Sequence, residues 1–346
     1  MKKFLVKLSY AVFPLWLIVV GLVFYISLYV SPRATGDIGR LGLIPFGHSY
    51  ETIIRQGAIQ ETLFKTIEKT EDLSSIHVDI LTIGDSFSQQ GNFGYQNYLS
   101  QKELNVANCS RNLYSNPVQY AYNLLQENII DSTNVKTIII EKVEREFEGA
   151  MIDFSTEKSE IQRPIIREFH TNKKVEAIKS HEWSIIRARD YIYYMIDREK
   201  SPIYKVKLAK NLFTSNSPRY LYFYYWDIIG GLQIHPGNEE KILEVYKTIS
   251  SKMKEKGIKF IFMVAVDKYD LYQNEIVENP YPKKRVMEDI DRIIGNSPHL
   301  LLSKKFLLPL IEKGEKDVFL FNDTHWSYKA SRVIADEIYK KHISMF

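Results

Sequence analysis

The sequence predicts an α/β protein with a parallel β-sheet, preceded by one membrane-spanning helix. Short apolar runs rich in β-branched residues alternate with segments of helical periodicity. Several of these runs are apolar without interruption, which is typical of parallel strands that helices cover on both faces. A long uncharged apolar stretch stands near the N-terminus, before all of the strands.

Composition narrows the class of protein. Of the 346 residues, 45% are hydrophobic and 25% charged, which is ordinary for a globular chain and excludes wholesale disorder or a collagen-like repeat. A net charge of +4 is too small to indicate nucleic acid, and no such partner is expected. The single cysteine, Cys109, excludes a disulfide framework and thiol-rich zinc sites. The histidines show no metal-ligand spacing, so neither a metal nor a cofactor is predicted.

The apolar stretch at residues 10–30 follows three lysines and contains no charge. A helix crossing the hydrocarbon core needs about 20 apolar residues, whereas the apolar part of a cleaved signal peptide has about 7–15. Residues 1–32 are therefore predicted to form an uncleaved signal anchor. Because positive charge before a span favours the cytoplasm, we expect a single-pass protein of the cytoplasmic membrane whose domain lies on the periplasmic or extracytoplasmic side.

The part of the chain after the anchor divides into a linker, or transition segment, and a predicted catalytic domain. Residues 33–75 are glycine-rich and then show a helical pattern at 61–69; residues 76–346 carry the strand signals. Five strands are predicted, at residues 78–83, 104–107, 135–143, 259–264 and 300–302. An insertion at 144–238, between the third and fourth strands, is too long for an ordinary crossover.

Gly84-Asp85-Ser86 follows directly on the first predicted strand. In open parallel sheets, ligands bind at the carboxyl ends of strands, where a serine can present its hydroxyl to a crevice. The Ser86 N–H would lie near a helix N-terminus and help to stabilise an oxyanion. Such turns are common, and Asp85 is expected to brace this one by accepting hydrogen bonds from nearby amides.

A second polar cluster, Asn322-Asp323-Thr324-His325-Trp326-Ser327, stands before the last predicted helix. A carboxylate two residues before a histidine can bind one imidazole nitrogen while the other faces a nucleophile. With Ser86 this makes an acyl-transfer triad in the chain order Ser, Asp, His. The alternative is that Asp323 or Ser327 caps the final helix, which is compatible with catalysis.

These two segments carry a resemblance to a known family. Residues 83–88 (Ile-Gly-Asp-Ser-Phe-Ser) together with 322–327 resemble the SGNH, or GDSL, hydrolase superfamily, and within it the alginate O-acetyltransferase-type polysaccharide acetylation proteins. Residues 262–272 are similar to that family's strand and following Lys-x-x-x-Tyr segment, with Val266 where proline is usual. Residues 140–145 are similar to the end of its third strand.

The resemblance implies a flavodoxin-like three-layer fold with a five-stranded parallel sheet, and the activity of a serine O-acetyltransferase or acetylesterase. Ser86 is then the nucleophile, His325 carries the proton and Asp323 orients His325. In the family, a multispanning membrane acyltransferase supplies the acetyl group, which passes to a polysaccharide hydroxyl outside the membrane. We therefore expect a polysaccharide acceptor and such an acyltransferase as partners, with no cofactor.

The rest of the site is less defined by sequence. The loop after the second strand has no glycine where the superfamily uses one for the oxyanion hole, which leaves Asn108, Arg111 and Asn112 as candidate donors. Candidate substrate ligands are Arg145, Lys268 and Tyr272. Each has a plainer interpretation: an ion pair of Arg145 with Glu141 or Glu144, and a solvated loop for the other two.

Three alternatives to the acetyltransferase remain open from the sequence. Hydrolysis differs from transfer only in whether water or a sugar hydroxyl resolves the acyl-serine. The chain could instead be a non-catalytic glycan-binding subunit of a polysaccharide synthesis complex, with the aromatic run at 220–226 stacking on sugars; that run is more typical of an internal core. It could also be an envelope acyl-transfer protein of the teichoic-acid D-alanylation type.

Overall fold

A parallel sheet of six strands forms the centre of the fold. The computed structural model describes residues 2–30, 33–44, 54–75, 77–157, 185–196 and 201–344. The strands are β1 (Lys65–Ile67), β2 (Ile80–Gly84), β3 (Val106–Cys109), β4 (Thr137–Val143), β5 (Ile203–Lys207), β6 (Tyr220–Tyr224), β7 (Lys259–Ala265) and β8 (Leu300–Leu302). The parallel sheet has the order β1-β3-β2-β4-β7-β8, and β5 and β6 form a separate antiparallel pair.

The centre of the sheet is buried along its whole length. β4 pairs with β2 on one side and, over all seven residues, with β7 on the other. Every residue of β2 and β4 is buried. Their run of isoleucine, leucine and valine explains the uninterrupted apolar pattern, because helices cover both faces of a parallel sheet.

The helices lie in two groups. They are α1 (Lys2–Tyr25), α2 (Gly36–Gly42), α3 (Tyr95–Ser100), α4 (Pro117–Gln126), α5 (Glu144–Ile152), α6 (Ile185–Ile196), α7 (Trp226–Ile229), α8 (Glu239–Glu255), α9 (Lys268–Tyr272), α10 (Val286–Ile294), α11 (Lys304–Glu312) and α12 (Tyr328–Ser344). α4, α5, α8 and α10 contact one another, as do α12 and each of α3 and α11. Because β7 contacts both α8 and α12, both groups pack on the same sheet.

The sheet has one strand more than the five that the sequence predicted. The extra strand is β1, which pairs with β3 at the edge of the sheet inside the segment predicted to be helical. Only Ile67 of its three residues is buried, so the pattern gave little sign of a strand. The segment predicted as a transition, 33–75, thus contributes both β1 and α2 to the folded domain.

The insertion is partly described. Its residues 158–184 and 197–200 lie outside the described residues. The aromatic run forms β6 and the start of α7; its middle residues Leu221, Tyr222 and Phe223 are buried, which confirms the interpretation as a core, while Tyr220 and Trp226 are partly exposed.

The N-terminal helix is long and apolar enough to cross a membrane. The candidate span runs over Val6–Val30, and most of its large apolar side chains are exposed. Its last turn, the π-helical Ile26–Val30, is different: Ile26 and Val30 are buried with Leu43 at the end of α2. The end of the span therefore packs directly on the domain.

Candidate active site

The turn that carries Ser86 stands where the winding of the sheet reverses. The chain passes from β2 to β3 on one side and then crosses to β4 on the other. A crevice opens at the carboxyl ends of strands at such a reversal. Ser86, half-buried, begins a short 3-10 turn, Ser86–Ser88, immediately after β2.

Asp85 braces this turn, as the sequence predicted. One carboxylate oxygen accepts a hydrogen bond of 3.2 Å from the Phe87 N–H, and the other accepts one of 2.7 Å from the N–H of Val143 at the end of β4. The side chain of Asp85 thus ties the ends of β2 and β4 together and fixes the start of the turn.

Gly84 is required at the end of β2 by close packing. The Tyr114 hydroxyl accepts a hydrogen bond from the Gly84 N–H at 2.9 Å and donates one to the Gly84 carbonyl at 2.7 Å. A Cβ on Gly84 would lie 2.2 Å from the Ser88 Oγ and 2.5 Å from Glu141 Oε2. Any side chain here would push apart the residues that support Ser86.

A buried pair of carboxyl groups lies beneath the turn. The Ser88 hydroxyl donates to Glu141 at 2.9 Å, and Glu141 shares a hydrogen bond with Asp85. Burial raises the pKa of Glu141 well above its usual range, and the charge of Asp85 adds to this effect. Burial works against ionisation of Asp85 too, but Lys142 and the hydrogen bond from Glu141 hold its pKa low. Asp85 is thus the ionised member and Glu141 the protonated one.

His325 has the geometry of a general base. Its Nδ1 lies 2.6 Å from Asp323 Oδ1, which also accepts a hydrogen bond of 3.1 Å from the His325 main-chain N–H. The Nε2 atom is buried and has no hydrogen-bond partner among the described residues. In its neutral form, which predominates only above its pKa, an imidazole whose Nδ1–H is held by a carboxylate presents an acceptor at Nε2.

The His325 loop lies against the Ser86 turn. The imidazole packs on the ring of Phe87, the residue after Ser86, with 4.9 Å between ring centroids. The side-chain amide of Gln90 donates to the Trp326 carbonyl at 3.0 Å, and Phe87 also packs on Trp326. The two segments that the sequence predicted to share a site, 83–88 and 322–327, are therefore in contact.

Asp37, on α2, is a second carboxylate at His325 that the sequence analysis did not find. Its Oδ2 lies 3.3 Å from His325 Nδ1 and accepts a hydrogen bond of 3.2 Å from the Thr324 hydroxyl. Its main-chain N–H donates to Asp323 Oδ2 at 3.1 Å, across 286 residues of chain. No local pattern could have linked residues so far apart in sequence.

The two carboxylates govern the ionisation of His325. Burial lowers the pKa of the imidazole, but the hydrogen bonds and charges of Asp323 and Asp37 outweigh it and raise the pKa to about 9. The pKa of Asp37 is lowered in turn, chiefly by its bond to His325. Within the described chain these three residues are also the group whose ligand atoms lie close enough for a metal ion. The 2.6 Å between His325 Nδ1 and Asp323 fits a direct hydrogen bond, and the 3.3 Å to Asp37 fits an ion pair.

Lys268 supports the loop from inside. Its ammonium group is buried and donates to the main-chain carbonyls of Leu320, Phe321 and Asp323 at 2.6, 3.0 and 3.0 Å. Burial lowers its pKa to about 7 against the opposing charge of Asp323. All three donors face protein carbonyls, so the structure places Lys268 beneath the site, not among substrate ligands or in a solvated loop.

Tyr272, the other candidate in this segment, is a core residue. It is fully buried, its hydroxyl accepts a hydrogen bond from the Phe319 N–H at 3.3 Å, and its ring stacks on Phe213. It offers no surface to a substrate.

Arg145 belongs to a buried ion cluster. Its guanidinium lies 2.5 Å from Asp267 and 3.5 Å from Asp227, and Lys284 contacts the same Asp267 at 2.7 Å. The expected ion pair therefore exists, but its partners are these two aspartates and not Glu141 or Glu144.

The three candidate oxyanion donors lie at the end of β3. Asn108 is buried, and its side-chain oxygen accepts hydrogen bonds from Thr82 at 2.7 Å and Gln96 at 3.3 Å. Arg111 and Asn112 are exposed on the short 3-10 turn that follows. None of the contacts described for these residues involves Ser86, so they remain candidates by position alone.

A polar groove of about 770 Å³ lies beyond the ends of β3 and β4, and neither Ser86 nor His325 is among its lining residues. Tyr114, which binds Gly84, and Lys142, whose ammonium lies 3.6 Å from Asp85, both line it. Trp226 from the insertion faces the same space. The groove is large enough for a small ligand, and it is linked to the Ser86 turn only through the contacts of Tyr114 with Gly84 and of Lys142 with Asp85.

Comparison of the chain with protein-family models, with curated proteins and with solved structures found no match in any of the three.

Proposed function

We propose that this chain is a membrane-anchored serine O-acetyltransferase or acetylesterase of the SGNH type, acting on an exported or cell-envelope polysaccharide. The observation that carries the proposal is the state of His325: one nitrogen is held by a carboxylate, while the other is buried, unpartnered and beside the turn of Ser86. Such an unpaired buried nitrogen is costly unless it serves a reacting group.

The order of the strands supports the fold expected for this family. When the five strands predicted from sequence are numbered along the chain, their order in the sheet is 2-1-3-4-5, with β1 added outside them. That is the flavodoxin-like order, in which ligands bind between the first and third strands. Ser86 follows the first of these strands, β2.

The proposed chemistry is a two-step acyl transfer. The Ser86 Oγ attacks the carbonyl carbon of an acetyl ester while its proton passes to His325 Nε2. The bond to the leaving oxygen breaks, that oxygen takes the proton from His325, and an acetyl-serine remains. A sugar hydroxyl or water then attacks the acetyl carbon, giving its proton to His325, and Ser86 recovers its own as it leaves.

The surroundings suit a carbohydrate acceptor presented near a membrane. The groove beyond the ends of β3 and β4 is lined by hydroxyl, amide and aromatic groups together with charged ones, a mixture that can bind sugars. The apolar helix α1 ends against the domain that holds the site. A multispanning acyltransferase in the same membrane would be positioned to supply the acetyl group, with the domain on the extracytoplasmic side.

The test is the acetyl-enzyme itself. The full-length chain in detergent micelles is treated with a chromogenic acetyl ester, and both release of the chromophore and the mass of the intact protein are followed. We expect a transient gain of one acetyl group in the wild type, and its loss in Ser86→Ala and His325→Ala. Ser251→Ala, on the exposed side of α8, is the matched control and should behave as wild type.

Different outcomes separate the alternatives. A folded wild type that neither hydrolyses the ester nor gains an acetyl group from any activated donor would overturn the proposal and favour a glycan-binding subunit. Acylation with D-alanyl donors but not acetyl donors would favour the D-alanylation type. Acetylation of Ser86 that is resolved faster by an oligosaccharide than by water would identify a transferase.

A further inference from the structure

We propose that Asp37 is a positioning residue for His325, so that the segment joining the membrane helix to the domain completes the active site. This inference rests on the proposed function for its catalytic meaning. The contact itself is independent of that function, because Asp37 lies within bonding distance of both His325 and Asp323.

The segment around Asp37 is held in register with the His325 loop by several bonds. The side-chain amide of Asn322 donates to the main-chain oxygen of Thr35 at 3.0 Å and to its hydroxyl at 2.9 Å. The Gly39 N–H donates to the Asn322 carbonyl at 3.2 Å. Gly36 approaches so closely that a Cβ there would lie 2.2 Å from the same carbonyl.

This arrangement is more than the cap of a short helix. Asp37 lies in the first turn of α2, where the helix dipole stabilises a carboxylate, but no side chain caps the N-terminus of this helix with a hydrogen bond. Instead the Asp37 carboxylate accepts from Thr324 and faces His325 Nδ1, while its own N–H binds the second oxygen of Asp323. Asp323 is thereby turned so that Oδ1 meets the imidazole.

The chemistry that follows is electrostatic. When the Ser86 proton reaches Nε2, the imidazole becomes a cation whose Nδ1–H points at Asp323 and lies beside Asp37. Two carboxylates stabilise this cation better than one and keep the ring from rotating. The other charged groups bearing on the pair are Arg40 on α2, which acts on Asp37, and Lys268 of α9, which acts on Asp323.

The experiment compares Asp37→Asn, Asp37→Glu and the wild type as full-length protein in micelles. Labelled histidine gives the pKa of His325 by NMR, with His325→Gln to assign its signal among the eight histidines. Ester hydrolysis between pH 6 and 10 gives kcat and KM. Asp72→Asn, an exposed carboxylate in the 3-10 turn Thr70–Ser75, is the matched control.

We expect Asp37→Asn to lower the pKa of His325 from about 9 by about one to two pH units. The acid limb of the pH–rate profile should move by the same amount, and the kcat at its high-pH plateau should fall about tenfold with little change in KM. Asp37→Glu should restore part of the pKa and of kcat, because it returns a carboxylate. A residue that only held α2 in place would change stability without moving the titration of His325.

The result separates this inference from the proposed function. A shifted His325 titration in Asp37→Asn supports the contact even if the wild type has no esterase activity, in which case only the function falls. An unchanged titration and an unchanged plateau in a folded Asp37→Asn overturn the inference, even where Ser86→Ala abolishes activity and the function stands.

Discussion

The ammonium group of Lys268 donates a hydrogen bond of 3.0 Å to the main-chain carbonyl of Asp323, the residue whose side chain holds His325. The position of the imidazole is therefore set from behind the loop as well as within it. The ring is held by Asp323 and Asp37 at Nδ1, by Phe87 on its face, and by the lysine through the backbone.

Removing this support should loosen the loop. Lys268→Met keeps the length of the side chain but leaves three buried carbonyls without their donor. We expect a loss of about 2–5 kcal/mol in the free energy of unfolding, measured with urea, and a fall in kcat that exceeds any change in KM. Lys305→Met, which breaks a surface ion pair with Asp291, should stay within about 0.5 kcal/mol of wild type.

Gly84→Ala should disrupt the turn that carries Ser86. The added methyl group would meet the Ser88 Oγ at 2.2 Å and the Glu141 carboxyl at 2.5 Å, so the network must shift. We expect destabilisation by about 1–3 kcal/mol and loss of acetylation of Ser86. The matched control is Gly149→Ala in α5, where nothing lies within 4 Å of the new Cβ and helix propensity favours alanine. Equal effects of the two substitutions would contradict this account.

Glu141→Gln should be tolerated, because burial and the charge of Asp85 raise the pKa of Glu141 and so favour its uncharged form. The amide can still accept from Ser88 and donate to Asp85, so at pH 4, where the folded and the unfolded wild type both largely keep this proton, the free energy of unfolding should change by less than about 1 kcal/mol. Glu141→Ala should cost about 2–4 kcal/mol through the cavity and the loss of the acceptor for the Ser88 hydroxyl, which keeps only its bond to Tyr95.

The sign of the pH dependence gives a second check on Glu141. Above its unfolded pKa of about 4.5, the unfolded chain loses this proton while the folded one keeps it, so the group's contribution to stability falls as pH rises. Relative to wild type, Glu141→Gln should therefore gain stability as pH rises above 4.5. Glu312→Gln, an exposed acid at the end of α11, should show no such trend.

His325 should stabilise the fold most strongly at low pH. Its pKa is 6.5 in the unfolded chain and about 9 in the folded one, so below pH 6.5 both states are charged and the stabilisation is complete. Between these values only the folded state keeps the proton, and the contribution, on the order of 2–3 kcal/mol, is lost as pH rises through 9. The test is the difference in unfolding free energy between wild type and His325→Gln, which should shrink from pH 6 to 9.5.

The sequence predicted the strands better than it predicted the residues around the site. β4 and β7 were found because each contains consecutive apolar residues, 138–140 in β4 and 260–265 in β7, and such a run is a property of local sequence. β1 was missed since three residues at an edge, with one buried side chain, carry no strand pattern. The strands β5 and β6 of the insertion were also not predicted, because they form by pairing with each other and the sequence gives no sign of which segments pair.

Within the site, the prediction succeeded where partners are neighbours in sequence. Asp323 lies two residues from His325, so their hydrogen bond could be inferred from spacing. Lys268 looked like a ligand because it follows a strand, yet the loop that buries it comes from more than 50 positions later. Asp37 could not be found at all, since only the folded chain brings α2 to the His325 loop.

Because Asp37 follows closely on the apolar helix α1, the site around His325 cannot lie far from the membrane. Only seven residues lead from Val30 to Asp37, and a segment of this length spans at most about 25 Å when fully extended. Val30 itself packs on the domain. With α1 in a bilayer, His325 is thus confined to a thin shell at the lipid surface. If the proposed function holds, a polysaccharide would be modified close to the membrane as it emerges, and not after it has diffused away.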